Sequence, residues 1–256
     1  MKQVEHLPNR VGVIYANTRT LTQWLTEGGR NALGSAIFRE CQPHDMFSGA
    51  AAVYARKPHL EDPLFESPAF CPTPGFSALV KSDRCSGLLL RLLELMHHLI
   101  GLVTFRAEGT TYATPYLLQK DEIRAQLLSF RPAETHGHSA TGDFIYESCR
   151  IAAVILERAL FQSVSFSAAV NGTIYTALLK RALRKTDTEQ CWGDMTGVLS
   201  WVTLIGAAAA HYSPEREWLV GAATRVIITN SFEHGDAIIR TMNKLSEVQR
   251  VCGFSD

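Results

Sequence analysis

Apolar residues recur at helical spacing along most of this chain, and they almost never alternate with polar ones over a strand's length. Leu21, Trp24 and Leu25 share one face, as do Leu33 and Ile37, with Gly28-Gly29 loosening the segment between them. A second helix is predicted over 46–54. Five of the ten prolines (Pro58, Pro63, Pro68, Pro72 and Pro74) then fall close together, which predicts a long ordered loop and the best internal boundary.

From Ser86 to Val103 the chain is nearly all apolar, with eight leucines or isoleucines among its residues before Leu102. A helix apolar on several faces is buried on several faces, so this segment is the predicted central core helix. A shorter helix over 120–130 stops before Pro132, and a polar loop with His136 and His138 leads to Asp143, a candidate cap for a helix through Leu160. Further helices are predicted over 173–183 and 195–210. Ser213-Pro214-Glu215 combines a capping hydroxyl, a proline at the first helical position and an acid in the first turn, opening a helix toward Asn230. A last helix covers 237–251 and ends at Gly253. Val226–Thr229 is β-branched but too short to outweigh the helical start before it. The expected fold is all-α, an irregular multi-helix bundle forming a single domain over 1–256 with a sub-boundary at 58–74.

Composition changes this picture little. Of 256 residues, 46% are hydrophobic and 20% charged, a globular balance. A chain of this length buries roughly 70–75% of its unfolded surface and needs no metal or disulfide staple. The 25 Lys and Arg balance the 25 Asp and Glu, and zero net charge disfavours a nucleic-acid binder. Six cysteines, none in a CxxC pair, suit a reducing compartment and exclude zinc ribbons. The polar opening Met1–Arg10 is no secretory signal, so the sequon Asn171-Gly172-Thr173 reads as a chance match. Residues 159–179 are uncharged but too rich in Ser, Thr and Asn for hydrocarbon, and the apolar run 195–210 is too short to span it; both are expected as buried helices, with no membrane partner.

Motifs of the common enzyme classes are missing. Gly75-Phe76-Ser77-Ala78-Leu79 lacks the second glycine of a nucleophile elbow, and there is no GxGxxG, P-loop or HExxH, so no cofactor and no metal is implied. Acid–base chemistry without a cofactor needs only a pocket and one or two placed groups. His97-His98 point about 100° apart on a helix, which suits one to the core and one to a groove rather than both to a metal. Tyr146, Glu147 and Arg150 share a first turn, as an ion-pair network with Asp143 or as the polar end of a pocket. His211 flanks the start signal at 213–215. The candidate catalytic groups are therefore His97, His98, Tyr146, Glu147 and His211, with Arg150, Trp201 and Trp218 as candidate ligand contacts. The LxxLL pattern at 89–93 is expected as core, and Lys180-Arg181 with Arg184-Lys185 as a solvated helix end suited to a C-terminal dipole.

Tyr146-Glu147-Ser148-Cys149-Arg150-Ile151-Ala152-Ala153 resembles the "YEACRLAA" helix of fungal-specific transcription factor domains, the regulatory regions that accompany Zn2Cys6 clusters. Leu199-Ser200-Trp201, Ile205-Gly206-Ala207-Ala208-Ala209 and Glu215-Arg216-Glu217-Trp218-Leu219 resemble its "W…iGA.A…ER.W" block, and Met242-Asn243-Lys244-Leu245 its last helix. The likeness is clearest over 140–255. It implies an all-α fold, a nuclear location and transcriptional control, often in specialised metabolism. The cysteine cluster and basic linker that read DNA in such regulators have no counterpart in this chain, whose first cysteine is Cys41. Three expectations follow. The first is a regulator-like domain that binds a small hydrophobic molecule or a protein partner and no DNA. The second is a cytoplasmic enzyme recruited from the fold, a cyclase or isomerase. The third is a fragment or degenerate paralogue that works only by dimerising with full-length regulators; a homo-oligomer is a separate partner expectation.

Overall fold

The computed structural model describes residues 65–73, 75–107, 113–133, 142–188 and 191–252. The helices expected over 21–37 and 46–54, the loop histidines His136 and His138, and Gly253 lie outside them. Within the described residues the chain is all-α: α1 (Gly87–Ala107), α2 (Ala113–Leu128), α3 (Gly142–Gln162), the single turn α4 (Phe166–Ala169), α5 (Tyr175–Arg184), α6 (Thr196–Ala209) and α7 (Arg216–Val251), with short 3-10 turns at Leu79–Lys81 and Gly193–Met195. No strand occurs among the described residues; Ser67 and Phe70 form one isolated bridge.

The centre of the bundle is α6, not α1. Every residue from Gly197 to Ala209 is buried, and α3, α4, α5 and α7 all pack on it. Small side chains make this access possible. A Cβ on Gly206 would lie 2.7 Å from Leu179 Cδ2 of α5 and 3.4 Å from Leu219 Cδ2 of α7, so the glycine sets how closely three helices meet. The expected central helix, α1, buries Leu89, Leu92, Leu93, Met96, Leu99, Ile100 and Val103 against α3 and α7. Its other side carries exposed Leu88, Arg91, His97 and His98. The run of leucines pointed to α1, but its charged and imidazole positions give it a wet face, whereas α6 carries no charge at all. By length and composition the window Gly87–Thr104 could cross a membrane, and half of it is buried inside the bundle.

Three boundaries differ from expectation. First, α2 begins at Ala113 rather than 120, because Pro115 lies in the first turn, where backbone N–H groups have no intrahelical acceptor to lose. Second, the uncharged stretch 159–179 is not one buried helix. It comprises the end of α3, the turn α4 and the start of α5. The break after Gln162 is a Schellman-type end: Ser163 takes φ 52°, and the Val164 N–H reaches back to the Ala159 carbonyl at 3.1 Å. Third, the two expected C-terminal helices are both present but follow each other with no loop, meeting within α7 at a kink at His234 (φ −124°, ψ 33°). Asp143 falls inside α3 and is not its boundary residue.

The proline-rich stretch does more than connect. Phe65, Glu66 and Ser67 are fully buried. The Glu66 carboxylate caps the turn at 79–81, Oε2 accepting the Ala78 and Leu79 N–H groups at 3.1 and 3.0 Å, while Oε1 accepts from Thr73 Oγ1. Phe65 packs on the His234 ring at the bend of α7, with centroids 5.4 Å apart. This segment is a piece of core laid across α6 and α7.

Candidate functional site

A cleft of about 670 Å³ lies between the α4–α5 turn and the α6–α7 turn. Local sequence builds both walls. On one, Ser165 caps α4 by accepting the Ala168 N–H at 3.2 Å, and its hydroxyl meets Ser167 Oγ at 3.1 Å. Gly172 (φ +67°) then reverses the chain, and Thr173 Oγ1 donates to the Val170 carbonyl at 2.6 Å. From behind, Arg158 of α3 donates to the Ala169 carbonyl at 2.9 Å, which fixes the turn to the bundle.

On the other wall, Ser213 and Pro214 form a turn before α7 instead of its cap and first residue: Glu215 is the N-cap position, without a side-chain cap hydrogen bond, and α7 begins at Arg216. Ser213 Oγ accepts the Glu215 N–H at 3.1 Å and donates to Glu215 Oε2. Thr176 Oγ1 of α5 donates to the same carboxylate oxygen at 3.3 Å. One acid thus joins the two walls. The Ser213 hydrogen bond holds the Glu215 carboxyl below its ordinary range, with partial burial opposing, and Thr176 and the Lys180 charge adding to the lowering.

The rim is apolar. Ile174 and Tyr212 both line the cleft and are 67% and 86% exposed, two of seven large hydrophobics left in water by the described residues. Among the lining residues are five hydroxyl-bearing serines and threonines, Asn171 and one carboxylate, and no Lys, Arg or His. A neutral ligand, or one bearing a positive charge, finds hydrogen-bond partners here together with two apolar contacts.

The candidates chosen from sequence are placed elsewhere. Neither His97 nor His98 faces the core; both are exposed. His97 Nδ1 is 2.9 Å from the Pro68 carbonyl, which requires the proton on Nδ1, and its ring meets Phe76 edge-on at 5.5 Å. It borders a smaller cleft of about 300 Å³ with Cys71, Glu94 and Phe76. Burial raises the Cys71 thiol above its ordinary value, and its Sγ donates to the Thr73 carbonyl at 2.9 Å. His98 Nε2 is 2.8 Å from Gln119 Nε2 of α2.

Tyr146, Glu147 and Arg150 do come together, as a clip. Tyr146 donates to the Arg131 carbonyl at 2.9 Å, and Glu147 Oε2 accepts the Ala133 N–H at 3.0 Å. Arg150 holds Glu147 with two hydrogen bonds, at 2.9 and 2.6 Å. Burial raises the Tyr146 hydroxyl, partly offset by Arg150. For Arg150 burial opposes the charge, but Glu147 more than compensates, so its pKa is raised. These groups fasten the end of α2 to α3.

His211 Nδ1 meets Arg216 Nη1 at 2.7 Å and its ring stacks edge-on against Tyr212 at 4.3 Å, one residue behind the cleft rim. Trp201 is fully buried in α6, with no acceptor for its indole N–H among the described residues. Trp218 is partly buried against the core. Neither tryptophan lines the large cleft. Among the described residues no group of three His, Cys, Asp or Glu could hold a metal ion.

The residues of the large cleft were not singled out from sequence. Its two walls lie roughly forty positions apart, and Ser, Thr, Asn and Gly there carried only turn and capping signals. Comparison with family models, with curated proteins and with solved structures returns no match for this chain.

Proposed function

We propose that the chain is a helical regulatory domain that binds a small molecule, or failing that a protein partner, and does not bind DNA itself. The reading is of the type of the fungal transcription factor domains that residues 140–255 resemble, with nuclear transcriptional control in specialised metabolism as the setting. One observation carries the binding part: the cleft of about 670 Å³ with a hydroxyl-lined interior and two exposed apolar residues at its rim. That volume falls within the roughly 300–1,000 Å³ typical of small-molecule sites. The stretches that carry the resemblance lie on α3, α6 and α7, which pack together around the core. Zero net charge supports the absence of DNA binding.

The recruited-enzyme alternative draws less support. Tyr146 and Glu147 already engage the backbone of residues 131 and 133, and His97, His98 and His211 lie on separate parts of the surface.

A ligand-detected NMR screen of small amphiphilic fragments on the full chain tests the reading. Ala177 is exposed on the cleft wall, so Ala177→Trp fills the cleft without touching the core. Fragments should bind the wild type and lose binding to this variant. Fragments that bind both equally contradict the assignment, and turnover of any fragment in molar excess favours the enzyme. A duplex DNA probe should show no salt-dependent binding.

A further inference from the structure

The charge of the cleft wall narrows its ligand. Glu215 is the single acidic or basic residue among the lining residues and the only one charged at neutral pH. Its Oε2 receives Ser213 and Thr176, and Oε1 has no hydrogen-bond partner among the described residues. Lys180 is near enough to act on this charge but is not part of the wall. The start of a helix favours negative charge, and at α7 Glu215 already supplies it. An anionic ligand would be brought against this carboxylate with no cation on the wall to receive it. A cationic ligand would meet an open carboxylate oxygen, neighbouring hydroxyl oxygens that accept hydrogen bonds, and the exposed ring of Tyr212.

Resting on the binding role argued above, we infer that the cleft takes small organic amines: an ammonium head against Glu215, and an apolar or aromatic body against Tyr212 and Ile174. The ammonium, with three donors on a compact centre, suits one carboxylate oxygen flanked by hydroxyls better than a planar guanidinium does, since Oε2 is already occupied and a bidentate pair is closed off.

Three probes of the same shape and different head charge decide this: phenethylamine, phenethyl alcohol and hydrocinnamate, each titrated against the full chain by ligand-detected NMR. The amine should bind about fivefold or more tighter than the alcohol, as a partly exposed ion pair allows, and the carboxylate weakest of all. Glu215→Gln should erase the preference for the amine. Should that variant fail to fold, Ala177→Glu and Ala177→Lys carry the test from an exposed position on the same wall: the first should tighten amine binding and the second should abolish it.

Hydrocinnamate binding as tightly as the amine overturns the inference. So does an amine preference that survives Glu215→Gln or is indifferent to both Ala177 variants. Equal binding of all three probes, lost with Ala177→Trp, keeps the cleft as a binding site and rejects its choice of cations. Absence of binding by every probe, together with an empty fragment screen, rejects both readings.

Discussion

Gly197 of α6 faces the backbone of Glu66 so closely that a Cβ on it would lie 2.5 Å from the Glu66 carbonyl oxygen. The neighbour is main chain in a fully buried segment, and it has no rotamer through which to retreat. Gly197→Ala should therefore destabilise the protein by about 2 kcal/mol or more, even though alanine is the better helix former. Gly206→Ala presses instead on the side-chain tips of Leu179 and Leu219, which are buried but can shift, and should cost about 1–2 kcal/mol, less than Gly197→Ala. Gly221 of α7 has nothing among the described residues within 4 Å of an added Cβ; Gly221→Ala should stabilise by about 0.5–1 kcal/mol. Urea unfolding midpoints of the three variants check this order.

Ser163 ends α3 in a left-handed conformation, φ 52°, that glycine adopts at no steric cost. The residue is exposed, and its side chain makes no hydrogen bond among the described residues. Ser163→Gly should raise stability by roughly 0.5–1 kcal/mol, and Ser163→Val should lower it by about 1 kcal/mol or more, by the same denaturant titration.

The Tyr146–Glu147–Arg150 clip predicts graded losses. Tyr146→Phe leaves the Arg131 carbonyl without its donor at 2.9 Å and should cost about 1 kcal/mol. Arg150→Ala removes both hydrogen bonds from a Glu147 side chain that is only 17% exposed, and should cost about 2–3 kcal/mol. Because the clip holds the chain after α2, amide hydrogen exchange should rise first in residues 126–133.

Two carboxylates give opposite responses to pH. Glu215, lowered below its ordinary 4.5 chiefly by the Ser213 hydrogen bond, contributes stability that is present above that value and lost as pH falls through the folded one. Glu157 is raised above 4.5 by burial, against the opposing pull of Arg124 at 2.9 Å; its contribution is fully present below 4.5 and lost as pH rises through the folded value. Relative to wild type, Glu215→Gln should gain stability as pH falls, and Glu157→Gln should gain as pH rises. Unfolding free energies measured between pH 3 and pH 7 give the two slopes, which must differ in sign.

Much of the fold could be read from periodicity and punctuation. The helical run from Ser86 is real, with Ser86 Oγ accepting the Leu89 N–H at 3.2 Å, and α6 runs from Thr196 to Ala209, close to the expected 195–210. What pattern did not carry was rank and reach. α1 carries more leucines than α6, yet Gly197, Gly206 and Ala207–Ala209 put α6 at the centre by letting neighbours approach, and α6 has no charged residue to keep a face in water. The prolines near Phe65 signalled a loop, and only tertiary packing shows that Phe65 and Glu66 are core. The kink at His234 falls in the polar stretch Asn230 to Asp236, where the sequence placed the break between the last two helices; the pattern did not show that no loop separates them. Of the candidate site, Tyr146, Glu147 and Arg150 were legible as a cluster because they are three and four positions apart on one helix. The Thr176–Glu215 contact joins residues far apart in sequence, and short hydroxyl-rich turns give no periodic signal by which to pair them.

Crystallographic fragment screening of the full chain tests the central claim most directly. The account predicts that bound fragments concentrate in the cleft between residues 165–177 and 209–215, touching Tyr212, Ile174 and Glu215, with amines over-represented among them. Fragments gathered at the smaller cleft around Cys71 and His97, or scattered over the surface with that cleft empty, would contradict it.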